Sequence, residues 1–513
     1  MKRNKVILGA VVTLAALLLV SVGVAPVFCY TAAQEKYFPR VDRKMSPFLM
    51  ARWGIVPGYQ FPNDWVKTVD WSEIKKKYGG TTVTMAIQGH DVSAPEMFKK
   101  DFEALSGIKV ELYGVPSEEF TEKLLVEFLA GTAKYDTVEY YQGDTGMFIP
   151  YLADLAPYVT KFKYTDIKDI HPVYFWIHSL RDGRIVALPF DSDCRLLHYR
   201  PKMLALAGYD RPPKTWTETL EYCKKLEQAL PEGTYAIGFP GSRHFGALKA
   251  WMDIAGSEGV EFFTEGWKVA LNTPDGVGAL RTMMELSKYA PPGLKNWGYS
   301  ECREAWLGGK MAMVQQWQCV GRQMYDPELS EFALEDPRPE SAPLPQGTGP
   351  NAREAYSVVQ GSSASLTEVS KNKEAAAIWL FFLNGTETQF VYSISGTGVE
   401  TGSRKVLENP VYQKGFPPAK AWLYELDYAN AEQLWISEWS TLESLGTMIV
   451  NYGLVGEYTP EKAMEILEKR WTQVMKRAGY YLPGAPPVPS AYWPEIRDAF
   501  IEKVNELFDS LGV

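Results

Sequence analysis

The sequence predicts an α/β protein built on a parallel sheet with helices on its faces. Three observations carry this reading. Between Thr81 and Tyr141, segments of alternating apolar residues change places with segments of helical period, in the order strand, helix, strand, helix, strand. Strands joined through crossover helices run in one direction and leave helices on the sheet faces. The chain has 513 residues, more than one core commonly holds, so at least two domains are expected.

Each element has its own signal. Val83, Met85 and Ile87 alternate as a strand does. Ser93 is expected to cap a helix that lines up Met97, Phe98, Phe102 and Leu105 and stops at Gly107. Ile108, Val110 and Leu112 form the second strand. Pro116 and the acidic pair Glu118 and Glu119 open a second helix, at the end where the helix dipole favours negative charge. Phe120, Leu124, Leu125, Phe128 and Leu129 form its expected buried stripe, and Gly131 ends it. Residues 137–141 are the third strand. The loops that follow the first and third strands, 88–91 and 142–145, gather at one sheet edge, where ligands bind in such sheets.

A second set of elements follows Gly183. Residues 185–190 read as a short apolar strand, the polar run Asp191, Ser192 and Asp193 follows, and 196–199 resume an extended pattern. Thr215 and Glu218 form a capping box for a helix with the stripe Trp216, Leu220, Cys223, Leu226 and Leu230. Further helices are expected at 244–255, 275–289, 300–307, 372–383, 432–450 and 460–477, with a strand at 311–314. The Pro/Gly-rich stretch 337–350 reads as a crossing linker, and 483–489 as a proline-rich spacer before a last short helix. Residues 34–80, with Trp53, Trp65 and Trp71, show no clean period and read as an ordered extension wrapped on the main body.

Composition narrows the function. With 46% hydrophobic and 22% charged residues the chain is a folded one. Its 16 Trp and 29 Tyr suit large cores or flat binding faces for sugars. A net charge of −9 without a basic stripe argues against nucleic acid. Lys2, Arg3 and Lys5 before the apolar run 6–24 are export chemistry. That run approaches the ~20 residues that span a bilayer, so a cleaved signal peptide and a retained signal anchor are both open. Lipid attachment at Cys29 would tether the chain equally, although Pro26, Val27 and Phe28 are bulky for such a signal. Cys29, Cys194, Cys223, Cys302 and Cys319 show no CxxC spacing; Cys302 with Cys319 is a conceivable disulfide. Nucleophile elbows and H-E-x-x-H are absent, the histidines 90, 171, 178, 198 and 244 are scattered, and no metal or cofactor is expected. Asn384, Gly385 and Thr386 match a glycosylation acceptor.

Five phrases, in order, resemble the extracellular solute-binding proteins of ABC importers, in the sugar-binding group that includes maltose-binding protein. They are FEALSGIKVELYGVPSEEFTEKLLVEFLAGTAKYDTVEY (102–140), GRIVALPFDSDCRLLHYRPKMLALAGYDRPPKTWTETLEYCKKL (183–226), EAWLGGKMAMVQQW (304–317), KNKEAAAIWLFFLNGTETQ (371–389) and YTPEKAMEILEKRW (458–471). The likeness covers most of 81–478 and leaves 34–80 and 481–513 unexplained. It implies a two-lobe, type II periplasmic-binding-protein-like fold whose hinge consists of crossing segments. The expected division is 1–33 signal peptide or anchor, 34–80 extension, 81–190 with 351–400 first lobe, 191–350 with 401–480 second lobe, and 481–513 tail.

The resemblance also implies a solute held in the cleft by closure of the lobes. Carboxylates accept sugar hydroxyls and guanidinium donates in a planar fork. The candidates are Gln88, His90 and Asp91 in the first loop, Asp144 in the second, and Asp191, Asp193 and Arg195 in the crossing segment. An ion pair across the hinge is the alternative for the last three. Arg243 and His244 follow the strand 235–239. Gln316 and Trp317 end a strand, with Trp317 the favoured stacking platform or else a core tryptophan. Gly361 and Ser362 would let backbone approach the ligand. Trp435 lies with Trp439 on one expected helix face, where core packing is the default. The implied function is capture of a sugar or oligosaccharide for importer permeases, outside the cytoplasm and tethered to the membrane. A tethered sensor, a binder of another polar solute and, more remotely, a secreted glycosidase using Asp191 and Asp193 are the alternatives.

Overall fold

The computed structural model describes residues 64–243, 246–354, 356–394, 397–431 and 435–513. The export signal, Cys29, Trp53, the first thirty residues of the extension and His244 lie outside them.

The described chain begins with two short helices, α1 (Trp65–Thr68) and α2 (Trp71–Tyr78). Trp65 is buried edge-on against Tyr164 and Phe381, and the half-buried Trp71 stands edge-on to Phe382. This part of the extension therefore completes the core of the first lobe. Asp64 fixes it: its carboxylate accepts from Val66 N at 2.8 Å and Glu387 N at 2.6 Å, capping two helix starts at once.

Strands β1 (Thr82–Gln88), β2 (Lys109–Val115) and β3 (Thr137–Tyr141) fall on the three alternating segments, and β1 pairs with both others in parallel. Helices α3 (Ser93–Ser106) and α4 (Ser117–Ala130) connect them, each ended by a left-handed glycine, Gly107 and Gly131. Phe102 of α3 packs on Trp379 and Phe382, 4.8 and 5.1 Å between ring centres.

After a hairpin of β4 (Leu180–Arg181) and β5 (Arg184–Ile185), β6 (Leu188–Asp193) and β7 (Arg195–Tyr199) follow with only Cys194 between them. Yet β6 belongs to the first sheet and β7 to the second, so the chain changes lobes at that residue. The second lobe adds α5 (Trp216–Ala229), β8 (Tyr235–Gly238), α6 (Ala247–Ser257), a hairpin of β9 (Phe263–Thr264) and β10 (Lys268–Val269), α7 (Pro274–Ser287), β11 (Met311–Trp317) and β12 (Glu340–Ala342). Its sheet has the order β12-β7-β11-β8. The chain then returns through β13 (Val358–Leu366), α8 (Lys373–Leu383) and β14 (Asn430–Ala431). The first sheet runs β14-β13-β3-β1-β2, with β6 also on β13. Helices α9 (Trp439–Leu454) and α10 (Pro460–Arg477) pack with α6 and α7 in the second lobe, and α11 (Trp493–Leu511) closes the chain.

Several expectations need correction. Ser93 does not cap α3; the N-cap is Val92, without a side-chain bond. Leu129 is 69% exposed because it falls off the buried face of α4. Cys302 and Cys319 are free thiols, both buried. Asn384 is buried with its amide bonded to Leu380 O, so a glycan cannot reach it. Residues 401–428, expected in the second lobe, touch both. Ser403 bridges Ile170, Lys405 pairs with Asp169 and Trp422 donates to Tyr174 on the first-lobe side, while Glu425 accepts from Leu344 N. The last helix is 19 residues long, not short.

Candidate functional site

The sequence 247–257 is apolar on every side except at Lys249 and Asp253, and α6 buries all of its residues. Charges on such a helix must find partners inside the protein. Asp253 takes Arg195 in a bidentate pair, Nε to Oδ2 at 2.6 Å and Nη2 to Oδ1 at 2.8 Å. Its carboxylate also accepts from Gln315 at 2.6 Å and from Val358 N at 3.2 Å. Lys249 spends its three donors on three different elements: Glu443 of α9 at 2.8 Å, Gln360 of β13 at 2.9 Å and the Tyr141 hydroxyl, at the end of β3. One ammonium thus joins the second lobe, the return strand and the first lobe.

Around this tie lie carboxylates from both sides of the crossing. Burial pushes the Asp193 carboxyl up to about 6, against the lowering effects of a hydrogen bond from Gln318 and the charges of Arg195 and Lys249. Asp191 stands well above the usual carboxylate range through burial and the neighbouring charges of Asp193 and Asp91. Asp91 is raised in the same way, through burial, then Glu139 and Asp193. Glu400 is raised to about 7 by burial, although Arg322 pairs with it. Asp144 is raised to about 6 by burial. It accepts from Thr121 at 2.7 Å and from Ser440 of α9 at 3.4 Å. Burial disfavours the charged form of each of these carboxyls, which accept hydrogen bonds when ionised and donate one when protonated.

The structure sorts the sequence candidates. Asp91, Asp191 and Asp193 come together, and Asp144 lies where the 142–144 turn meets α9, with Gly143 against Trp439. Gln88 is tied to Glu139 through its backbone N–H at 2.9 Å and its amide at 2.8 Å. His90 is exposed, 3.4 Å from Asp91. Arg195 is committed to Asp253, so in place of the expected pair across the hinge with Asp191 or Asp193 the structure has an ion pair inside the second lobe, between β7 and α6. Arg243 is exposed in the turn before α6. Gln316 is buried, and Trp317 is buried edge-on to Tyr299 at 5.5 Å with the Arg195 guanidinium 5.4 Å from its ring centre. Gly361 has φ +128, and a Cβ there would come 2.0 Å from the Asp191 carbonyl oxygen, so its smallness serves the approach of β6. Ser362 is buried opposite Tyr141 and Asp191. Trp435 is not on a helix with Trp439, because α9 begins at Trp439. It sits before it with φ +58, its ring 3.9 Å from the Arg181 guanidinium and its indole N–H donating to Ile177 O.

The family model for bacterial extracellular solute-binding proteins matches residues 88–390. The chain belongs to this family. Its members are the capture components of ABC importers, and the two-lobe type II fold is theirs. This solute-binding protein is 23% identical over 416 residues to a probable amino-acid ABC transporter periplasmic-binding protein of Sinorhizobium fredii, covering 80% of this chain and 93% of the relative. It is 25% identical over 325 residues to a mannitol-binding protein of Pseudomonas aeruginosa, covering 59% and 73%. Among solved structures, maltose-bound MalE3 of T. maritima superposes with a TM-score of 0.68 at 24% identity over 77% of this chain and 100% of that one. A D-mannitol-bound protein of Agrobacterium vitis gives 0.67 at 21% identity, over 78% and 99%.

Sequence reasoning missed Lys249, Tyr141, Gln360 and Glu443 in this solute-binding protein. The available signal was Lys249 itself, a cation inside an otherwise apolar helical segment with one further charge, Asp253.

Proposed function

We propose that this solute-binding protein captures an uncharged polyhydroxy solute, a sugar, oligosaccharide or polyol, between its lobes and delivers it unaltered to the permease subunits of an ABC importer. The observation that carries the solute class is the balance of charge at the crossing. Asp91 and Asp144 are buried and Asp191 and Asp193 half-buried carboxyls, while the bordering cations Lys249, Arg195 and Arg322 each hold a carboxylate. Solute hydroxyls donate to such carboxyls when ionised and accept from them when protonated, and these cations are already paired, so the site favours an uncharged solute over an anion. The aromatic pair Trp317 and Tyr299 supplies apolar contact beside Asp193, whose charge Tyr299 feels. The named ligands of similar proteins, mannitol and maltose, support the same class.

Closure on the solute is a two-state change, so a solute that makes better contacts in the closed form shifts the population the permease reads. No helix among the described residues is long and apolar enough to cross a membrane. In this reading a retained run 6–24 or a lipid on Cys29 would supply the tether.

Thermal unfolding against a panel of mono- and oligosaccharides, polyols, amino acids and glycerol phosphate tests the reading. A saturable rise with one sugar or polyol, which is recovered unchanged, is the expected outcome. A response confined to amino acids or to the phosphate ester would overturn the solute class, and product formation would overturn the capture role.

A further inference from the structure

The chain beyond α10 crosses the molecule a further time. Tyr480 packs on Trp267 with ring centres 4.7 Å apart, and the Trp267 indole N–H donates to Pro486 O at 2.6 Å. Trp267 belongs to the second lobe, beside the β9–β10 hairpin, whose Phe263 stacks on Trp471 of α10. The following residues then pass over the hinge. Ala431 N donates to Ala491 O at 2.8 Å, and Tyr492 stacks on Tyr356 with the Arg353 guanidinium 4.3 Å from its ring centre. Both partners lie on the segment that leads from the second lobe into β13. The chain finally docks on the first lobe. Trp493 packs on Trp176 at 5.5 Å, Phe508 on Phe175 at 5.3 Å, and α11 lies against the Ala156–Phe162 helix.

We propose that residues 480–511 are a covalent strap across the hinge that limits how far the lobes separate when no solute is bound. The reach of the strap sets the limit. Five residues lead from Pro486, the last anchor on the second lobe, to Ala491, whose carbonyl accepts from Ala431 N of β14 in the first sheet. Fully extended they span at most about 18 Å, and Pro486, Pro487 and Pro489 stiffen that stretch. The docked ends are aromatic and buried, with Trp493 and Trp267 almost without exposed surface. Opening that would draw Trp267 away from Trp176 must first straighten the spacer and then pull out one of these anchors. The strap rests on the two-lobe fold and not on the identity of the solute.

The test lengthens the strap and leaves both ends docked. A flexible Gly-Ser segment of about ten residues is inserted between Pro486 and Pro487 of the full chain. Spin labels at Leu129→Cys on the first lobe and Leu206→Cys on the second, 69% and 53% exposed, report the inter-lobe distance; with Cys29→Ser the remaining native cysteines are the four buried ones. The solute-free distance distribution is expected to broaden and move to longer distances, while the same insertion in the exposed turn between Glu232 and Gly233 leaves it unchanged. Phe508→Ala, which loosens the far anchor without altering the spacer, is expected to shift it in the same direction. A distribution unchanged in both strap variants, or moved equally by the control insertion, would overturn the proposal.

Discussion

The Lys249 ammonium, on a second-lobe helix, is hydrogen-bonded to the Tyr141 hydroxyl at the end of a first-lobe strand. The same ammonium pairs with Glu443, and its own side chain is only 1% exposed. Breaking a buried ion pair from one side leaves the other charge unpaired, a loss of about 3 kcal/mol. Lys249→Met is therefore expected to lower unfolding stability by about that amount, and Tyr141→Phe by about 1 kcal/mol. Urea denaturation of the single variants and the double variant measures both the losses and their coupling. Lys249→Met with wild-type stability would show that the tie is not formed.

Arg195 and Asp253 hold β7, β11 and the start of β13 together, with side chains 1% and 0% exposed. Arg195→Met is expected to cost about 4 kcal/mol while the folded fraction keeps its preference among solutes. A changed order of affinities at unchanged stability would instead place Arg195 on the solute.

Trp317 is large, buried and at the end of β11. Trp317→Ala should cost about 3–5 kcal/mol through the cavity it leaves and abolish the solute-induced rise in melting temperature. Trp317→Phe should recover most of the stability and part of the rise. Full retention of the rise in Trp317→Ala would remove this residue from the site.

The pH dependence has a definite sign. Asp193 and Asp144 titrate at about 6 in the folded protein, against an ordinary value of 3.8. A raised carboxyl binds its proton more tightly when folded. Its contribution is complete below 3.8 and is lost as the pH rises through about 6. The neutral, buried His171 and His178, lowered to about 3, act oppositely, because unfolding lets them take up protons below their ordinary 6.5. The carboxylate part is therefore read as a difference. Asp193→Asn should gain stability relative to wild type as the pH goes from 5 to 7. Solute hydroxyls favour the ionised carboxylate, so wild-type affinity should rise over the same interval. Parallel stability curves for the two proteins would contradict the assignment of Asp193.

The first lobe was legible because its strands and helices carry clean periods and glycine stops, as at Gly107 and Gly131. The crossing at Asp191 to Arg195 was legible as a polar run between two apolar strands, and Asp91, Asp191 and Asp193 do come together there. Partner choice was not legible. Nothing local tells Arg195 that its carboxylate lies on a helix 58 positions away. Trp435 and Trp439 have helical spacing, but Trp435 lies in the left-handed region before the helix begins, held by Arg181. The tail was equally opaque, since its partners Trp176, Phe175 and Trp267 belong to distant segments.

The most direct test of solute capture is titration calorimetry of the purified protein with the sugar or polyol that raises its melting temperature, repeated on Asp193→Asn. A saturable one-to-one isotherm that weakens at least tenfold in the variant, with the solute recovered intact, is the expected result. An isotherm unaffected by the substitution, or heat that continues with turnover, would contradict capture of a polyhydroxy solute by the carboxylates at the crossing.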